Sequence, residues 1–133
     1  MTANVDGLPI LKDSGERRQF SSGAVRDGAL GKGRFDLIPP QAMFRYARHM
    51  ELGAIKYAPR NWEKGMEHGI YIDSALRHLE KYKDGWDDED HLAAAIWNIA
   101  SLMHMQVEHP EFNDLPRWEG RRSKWIVERP DDA

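Results

Sequence analysis

The sequence predicts an all-α fold: a helical bundle with an irregular N-terminal arm and a core shared between subunits. Three observations predict it. Apolar residues recur at helical spacing in two neighbouring segments, Ile72, Leu76, Leu79 and Tyr82 in the first and Leu92, Ile96, Ile99 and Met103 in the second. No run of alternating β-branched residues marks a strand. Prolines stand where helices begin and end, Pro39-Pro40 ahead of one apolar stripe and Pro110 behind another. With 133 residues, 41% of them hydrophobic, the chain has material for one core. A single domain is expected, with an arm over 1–37, a helical core over 38–109 and a C-terminal extension over 110–133.

The arm is rich in glycine and charge and poor in apolar anchors. Its later part, including Gly31-Lys32-Gly33-Arg34, combines cations with backbone freedom, which suits either phosphate oxygens or plain solvent. A Walker loop is excluded, because no Ser or Thr follows Lys32, the glycine spacing is wrong and no strand is expected upstream. Pro40 then opens a helix whose stripe is Met43, Ala47, Met50 and Ala54, with Glu51 beside it. That helix fades by Tyr57, since Pro59 biases Ala58 away from helical angles. In the following loop Arg60, Asn61 and Trp62 offer a cation, an amide and an aromatic plane within three residues. Such a set can hold a nucleobase, or Trp62 can simply plug the core.

The segment from Ile70 to Met105 reads as two helices joined by an acidic turn about Gly85-Trp86. If they fold back antiparallel, His78 falls near His91 to Ala94 and Asp73 near Asn98. Two long helices in one layer cannot bury both faces, so a homodimer or homotetramer is expected. Pro110 stops the second helix, and the basic and aromatic tail around Trp118 and Trp125 packs on the fold or serves a partner.

The formal net charge of −3 argues against a coat for duplex DNA. The absence of cysteine removes disulfides, thiolate zinc sites and cysteine nucleophiles, so any metal is held by oxygen or imidazole. No apolar run approaches the roughly 20 residues of a membrane span, and a cytoplasmic protein is expected.

Chemistry concentrates in the helical pair. Seven acids lie between Asp73 and Asp90, and carboxylates suit a hard cation such as Mg²⁺. Acids at a helix start also cap it, which accounts for Asp87 to Asp90 as a group without a metal. Asp73 shares a face with Leu76 and Glu80 and is the acid most readily read as a ligand. His78 and His91 are a candidate imidazole pair or satisfied core residues. An HD-type phosphohydrolase would need a consecutive His-Asp pair, and the order here is Asp90-His91. No Ser sits at a strand-to-helix elbow, so metal-assisted hydrolysis is the enzyme class that survives.

Five ordered blocks carry a resemblance: Leu37-Ile38-Pro39-Pro40, Glu51 to Tyr57, Arg60 to Gly65, Asp73 to Leu79 and His91 to Asn98. Over about residues 23–105 the chain resembles the MazG-like all-α nucleoside triphosphate pyrophosphohydrolases, in their phage branch of MazZ-like dATP/dGTP diphosphohydrolases. The resemblance implies an α-helical homo-oligomer using Mg²⁺ or Mn²⁺ to split a purine deoxynucleoside triphosphate into monophosphate and pyrophosphate within phage nucleotide metabolism. The usual metal motifs, Glu-Glu-x-x-Glu and Glu-x-x-Asp, are not intact. Glu51 resembles one glutamate of the first, and His91 with Ala94 stands roughly where the second would be.

The expected site therefore has Glu51 and Asp73 as catalytic carboxylates, and Glu51, Asp73, His78, Asp87, Asp90 and His91 as the pool of metal ligands. Lys32, Arg34, Lys56, Arg60 and Arg77 would meet phosphate charge, Asn61 and Trp62 the base, and Asn98 would orient Asp73 or the sugar. The alternative is a non-enzymatic helical module that binds nucleic acid or protein through the C-terminal segment.

Overall fold

The structure is a computed structural model and describes residues 7–128. The chain divides into two compact units, Met1–Leu37 with Val127–Ala133, and Ile38–Ile126. The acidic end at Asp131-Asp132 lies outside the described residues.

The first unit contains a short antiparallel hairpin, β1 (Arg17–Gln19) with β2 (Val25–Asp27), in the register Arg17 to Asp27 and Gln19 to Val25. Asp27 ties it together, accepting from the Ser14 hydroxyl at 2.5 Å and from Lys32 Nζ at 2.8 Å. Three-residue strands carry too little alternation to stand out in a sequence, so this hairpin was not expected. It also places a strand upstream of Gly31-Lys32-Gly33, correcting that part of the argument against a Walker loop; the missing hydroxyl and the wrong glycine spacing still exclude one.

The second unit is helical. α1 (Pro40–Lys56) begins on Pro39 and Pro40, whose fixed φ suits a first turn, and ends as the Tyr57 N–H reaches Gly53 O at 2.9 Å. A 3-10 turn over Asn61–Lys64 closes on Gly65 at φ +83. α2 (His68–Lys83) ends in a Schellman motif, with Gly85 at φ +82, Gly85 N–H on Tyr82 O and Trp86 N–H on Lys81 O, both at 3.0 Å. α3 (His91–Glu108) is capped by the Asp90 carboxylate, which accepts from Ala93 N–H, and stops before Pro110. Two 3-10 turns, Pro110–Phe112 and Pro116–Trp118, carry the chain back along the helices, where Asp114 accepts the Gly69 N–H at 2.8 Å.

α2 and α3 form the tightest pair and run antiparallel, while α1 packs on α3. Their seam departs from expectation. The buried residues are His68, Tyr71 and Ala75 on α2, and His91, Ala93, Ala94, Ala95, Asn98, Ser101 and Met105 on α3. Much of the stripes read from the sequence is exposed instead, Leu76 at 58% and Met103 at 62%, with Leu79, Tyr82 and Ile99 also exposed, while Ile72, Leu92 and Ile96 are half-buried. Small residues let the two backbones approach closely, which leaves the larger aliphatics for another face. α1 contributes no buried residue, and Phe44, Leu52 and Ile55 stand exposed on it. No helix among the described residues is long and apolar enough to cross a membrane.

Candidate metal and nucleotide site

The antiparallel register brings His78 on α2 opposite His91 at the first turn of α3, with their Nδ1 atoms 2.9 Å apart. His91 is 2% exposed. Its Nε2 lies 2.7 Å from Asp88 Oδ1, and the hydrogen bond from His91 holds the Asp88 carboxyl below its ordinary value. An ionised carboxylate only accepts, so His91 Nε2 carries the proton and, in the neutral ring, Nδ1 presents a lone pair toward His78. Burial lowers the His78 pKa, the Glu89 carboxylate working in the opposite sense from 3.8 Å away. His78, Glu89 and His91 each place one donor atom within 4.8 Å of the other two.

These donors fit one cation. Two imidazole nitrogens bound at roughly 2.0–2.1 Å to a single ion, at roughly 90–110° to each other, lie roughly 2.9–3.4 Å apart. Asp88 behind His91 is the carboxylate that commonly orients a ligating imidazole.

A hollow of 240 Å³ opens beside His91, walled by Arg45, Tyr82, Trp86, Asp87, Glu89 and Asp90. Arg45 reaches from α1 and grips Asp90 with two hydrogen bonds of 2.7 and 2.6 Å. That contact, with the Ala93 cap, holds the Asp90 carboxyl at about 2. Trp86 is 48% exposed, its ring 6.5 Å from that of His91. It also walls a second hollow of 370 Å³ with Arg77, Glu80, Lys81, Lys83 and Asp84, and Lys81 Nζ lies 5.1 Å from its centroid.

The family is decided by residues 22–115 of the chain, which match the family model described as dATP/dGTP diphosphohydrolase, N-terminal. The chain belongs to that MazG-like family. No curated protein and no solved structure matches it. Membership makes this dATP/dGTP diphosphohydrolase relative a hydrolase of phosphoric anhydrides, and its mostly helical fold agrees.

Within this family member the residues expected to form the site are only partly brought together. His78 and His91 meet, and Glu89 joins them although the sequence did not single it out. Asp90 is engaged as helix cap and Arg45 partner and Asp87 lines the hollow, and neither is among the three converging donors. Asp73 is 74% exposed at its side chain and paired with Arg77 at 2.8 Å. The Glu51 carboxylate is exposed, and no described contact links it or Asp73 to the histidines. Asn98 does not orient Asp73; its amide donates to Ser74 Oγ at 3.2 Å and to Ala94 O at 2.9 Å, one residue off the expected partner.

The base and phosphate assignments shift similarly. Trp62 is half-buried edge-on against His104, with centroids 5.0 Å apart. His104 lies thirteen residues beyond His91 on α3, roughly 20 Å along the helix axis at roughly 1.5 Å per residue. Trp62 therefore lies toward the other end of the α2–α3 pair from His91, beside Asn61 in its 3-10 turn and Arg60, which pairs with Glu63 at 2.7 Å. Lys56 lies over the ring of its neighbour Tyr57. In the first unit Lys32 pairs with Asp27, and Arg34 with Asp36 at 2.8 Å. Arg45, Trp86, Asp88 and Glu89 were missed in the sequence. The available signals were the Asp88-x-x-His91 spacing and the Gly85 that aims Trp86.

Proposed function

We propose that this chain hydrolyses a purine deoxynucleoside triphosphate, dGTP or dATP, to the monophosphate and pyrophosphate, in a divalent-metal-dependent reaction within a phage nucleotide pool. The observation that carries it is the convergence of His78, Glu89 and His91 beside an arginine-lined hollow in a member of this family. His78, Glu89 and His91 would hold the ion, which when bound supplies Lewis acidity toward a phosphoryl oxygen. Arg45 would neutralise phosphate charge after exchanging Asp90 for substrate, and Arg77 and Lys81 would receive the pyrophosphate end. Asp87, exposed on the wall, is placed to accept a proton from the attacking water. Trp86 takes the stacking role first assigned to Trp62, because it stands at the histidine pair. The outward aliphatic stripes of all three helices support a homodimer or homotetramer, the assembly covering Phe44, Leu76 and Met103.

The test is product analysis with dGTP and dATP in the presence of Mg²⁺, Mn²⁺ or Zn²⁺, each in turn. Monophosphate and pyrophosphate are expected; no product from either nucleotide by a folded protein overturns the reading. His78→Ala should reduce turnover by at least about 100-fold. If Glu51→Ala and Asp73→Ala abolish turnover while His78→Ala leaves it intact, the chemistry belongs to those carboxylates instead.

A further inference from the structure

The donor set at His78, Glu89 and His91 disagrees with the Mg²⁺ implied by the family resemblance. Mg²⁺ takes oxygen ligands and is held by one or more carboxylates together with waters and substrate phosphates. Here two of the three converging donors are imidazole nitrogens and a single carboxylate completes them. Imidazole suits zinc and its neighbours in the first transition row, and two histidines plus one glutamate, with a position left open, is a common ligand set for catalytic zinc. The open side exists, because Glu89 is half-exposed at its side chain and the 240 Å³ hollow lies against His91.

We propose that His78, Glu89 and His91 form a site for a borderline transition-metal dication of the Zn²⁺ class, selective against Mg²⁺, and that Asp88 is the positioning residue that fixes His91 in the tautomer able to bind it. The Asp88 carboxylate accepts from Nε2–H, so the Nδ1 lone pair of His91 faces the cluster before any ion arrives. The His91 side chain is only 1% exposed and has little freedom to choose another orientation. The remaining imidazoles have other neighbours: His68 is bonded to His109 O, His109 to Glu111, His104 lies against Trp62 and His49 beside Trp97. Only this pair presents two nitrogens to one another among the described residues. The metal-free account, a hydrogen bond from His78 Nδ1–H to the His91 Nδ1 lone pair, uses the same tautomer and explains the 2.9 Å contact, but it gives the Glu89 carboxylate at the cluster no part.

This deepens the metal role in the proposed function yet is tested without nucleotide, so failure of either leaves the other decidable. The full chain, stripped with chelator and dialysed, is titrated calorimetrically with ZnCl₂, MnCl₂ and MgCl₂ separately. One Zn²⁺ per chain is expected, bound at least about 100-fold more tightly than Mg²⁺, with Mn²⁺ between them as the general order of divalent affinities requires. Glu89→Gln and Asp88→Ala, both at exposed carboxylates, should weaken Zn²⁺ by about 10–100-fold with helix content unchanged, and Asp88→Asn, which keeps an acceptor oxygen, should restore part of the loss. Long-range ¹H–¹⁵N spectra of the imidazoles should show His91 protonated at Nε2 in the parent chain and lose that preference in Asp88→Ala. Mg²⁺ binding as tight as Zn²⁺, or Zn²⁺ affinity untouched by Glu89→Gln, leaves only a hydrogen-bonded histidine pair and overturns the proposal.

Discussion

Asp90 joins three structural duties in one side chain: it caps α3, receives the Arg45 fork from α1 and precedes a buried histidine. Its carboxyl sits at about 2 instead of 3.8, chiefly through the Arg45 hydrogen bonds. A depressed folded pKa means stability that is complete above pH 3.8 and lost as pH falls through about 2. Asp90→Asn should therefore flatten the acid limb of a thermal-melt series between those values. Asn caps a helix as well as Asp, and both members of the Arg45 pair are more than a third exposed, so the total loss at neutral pH should stay within the ~1 kcal/mol of an exposed ion pair. A second single-residue test is Gly65→Ala: a Cβ there would meet His109, Met105 and Phe112, each at 3.0 Å, at a φ of +83. Denaturant melts should register a loss of at least about 1 kcal/mol. At this scale the sequence is legible by type more than by partner. That Asp87 to Asp90 would cap a helix follows from chemistry alone, whereas the choice of Arg45 as partner depends on how α1 crosses α3.

The helices themselves were legible almost to their ends. Pro39-Pro40, Pro59, Gly85 and Pro110 bracket α1 to α3, because proline and glycine act on the local backbone and need no tertiary context. Which face each helix buries was not legible. Leu76 and Leu79 look like core by hydrophobicity, yet α2 turns Tyr71 and Ala75 inward. Met105 is the largest apolar side chain of α3 fully buried in that seam. Met105→Ala should cost about 2–5 kcal/mol in urea unfolding. Leu76→Ala should cost under about 1 kcal/mol when measured on the isolated chain, because little of its surface leaves water there.

For the whole molecule the outward stripes are the dominant fact. Single exposed aliphatics are ordinary, but all three helices carry several, and α1 has no fully buried residue. Light scattering after size exclusion should give a mass at least twice 15.4 kDa, and Leu76→Glu with Met103→Glu should reduce it to that of one chain. A monomeric parent chain would refute the assembly. Glu51 and Asp73, the carboxylates expected to be catalytic, both stand on exposed surface, and sequence spacing does not say which neighbours a surface residue meets.

Asn98 gives the hairpin one further property. Its buried amide has two acceptors, Ser74 Oγ across the seam and Ala94 O on its own helix. Sliding α2 past α3 by a turn would carry Ser74 away from that amide and cost the one hydrogen bond it makes across the seam, so it favours one alignment. The histidine rings two turns away are thus held in line by a bond that touches neither. Asn98→Leu should leave the helices intact by circular dichroism yet broaden the His78 and His91 imidazole signals as the pair loses its single setting; sharp, unshifted signals would show that the alignment is kept elsewhere.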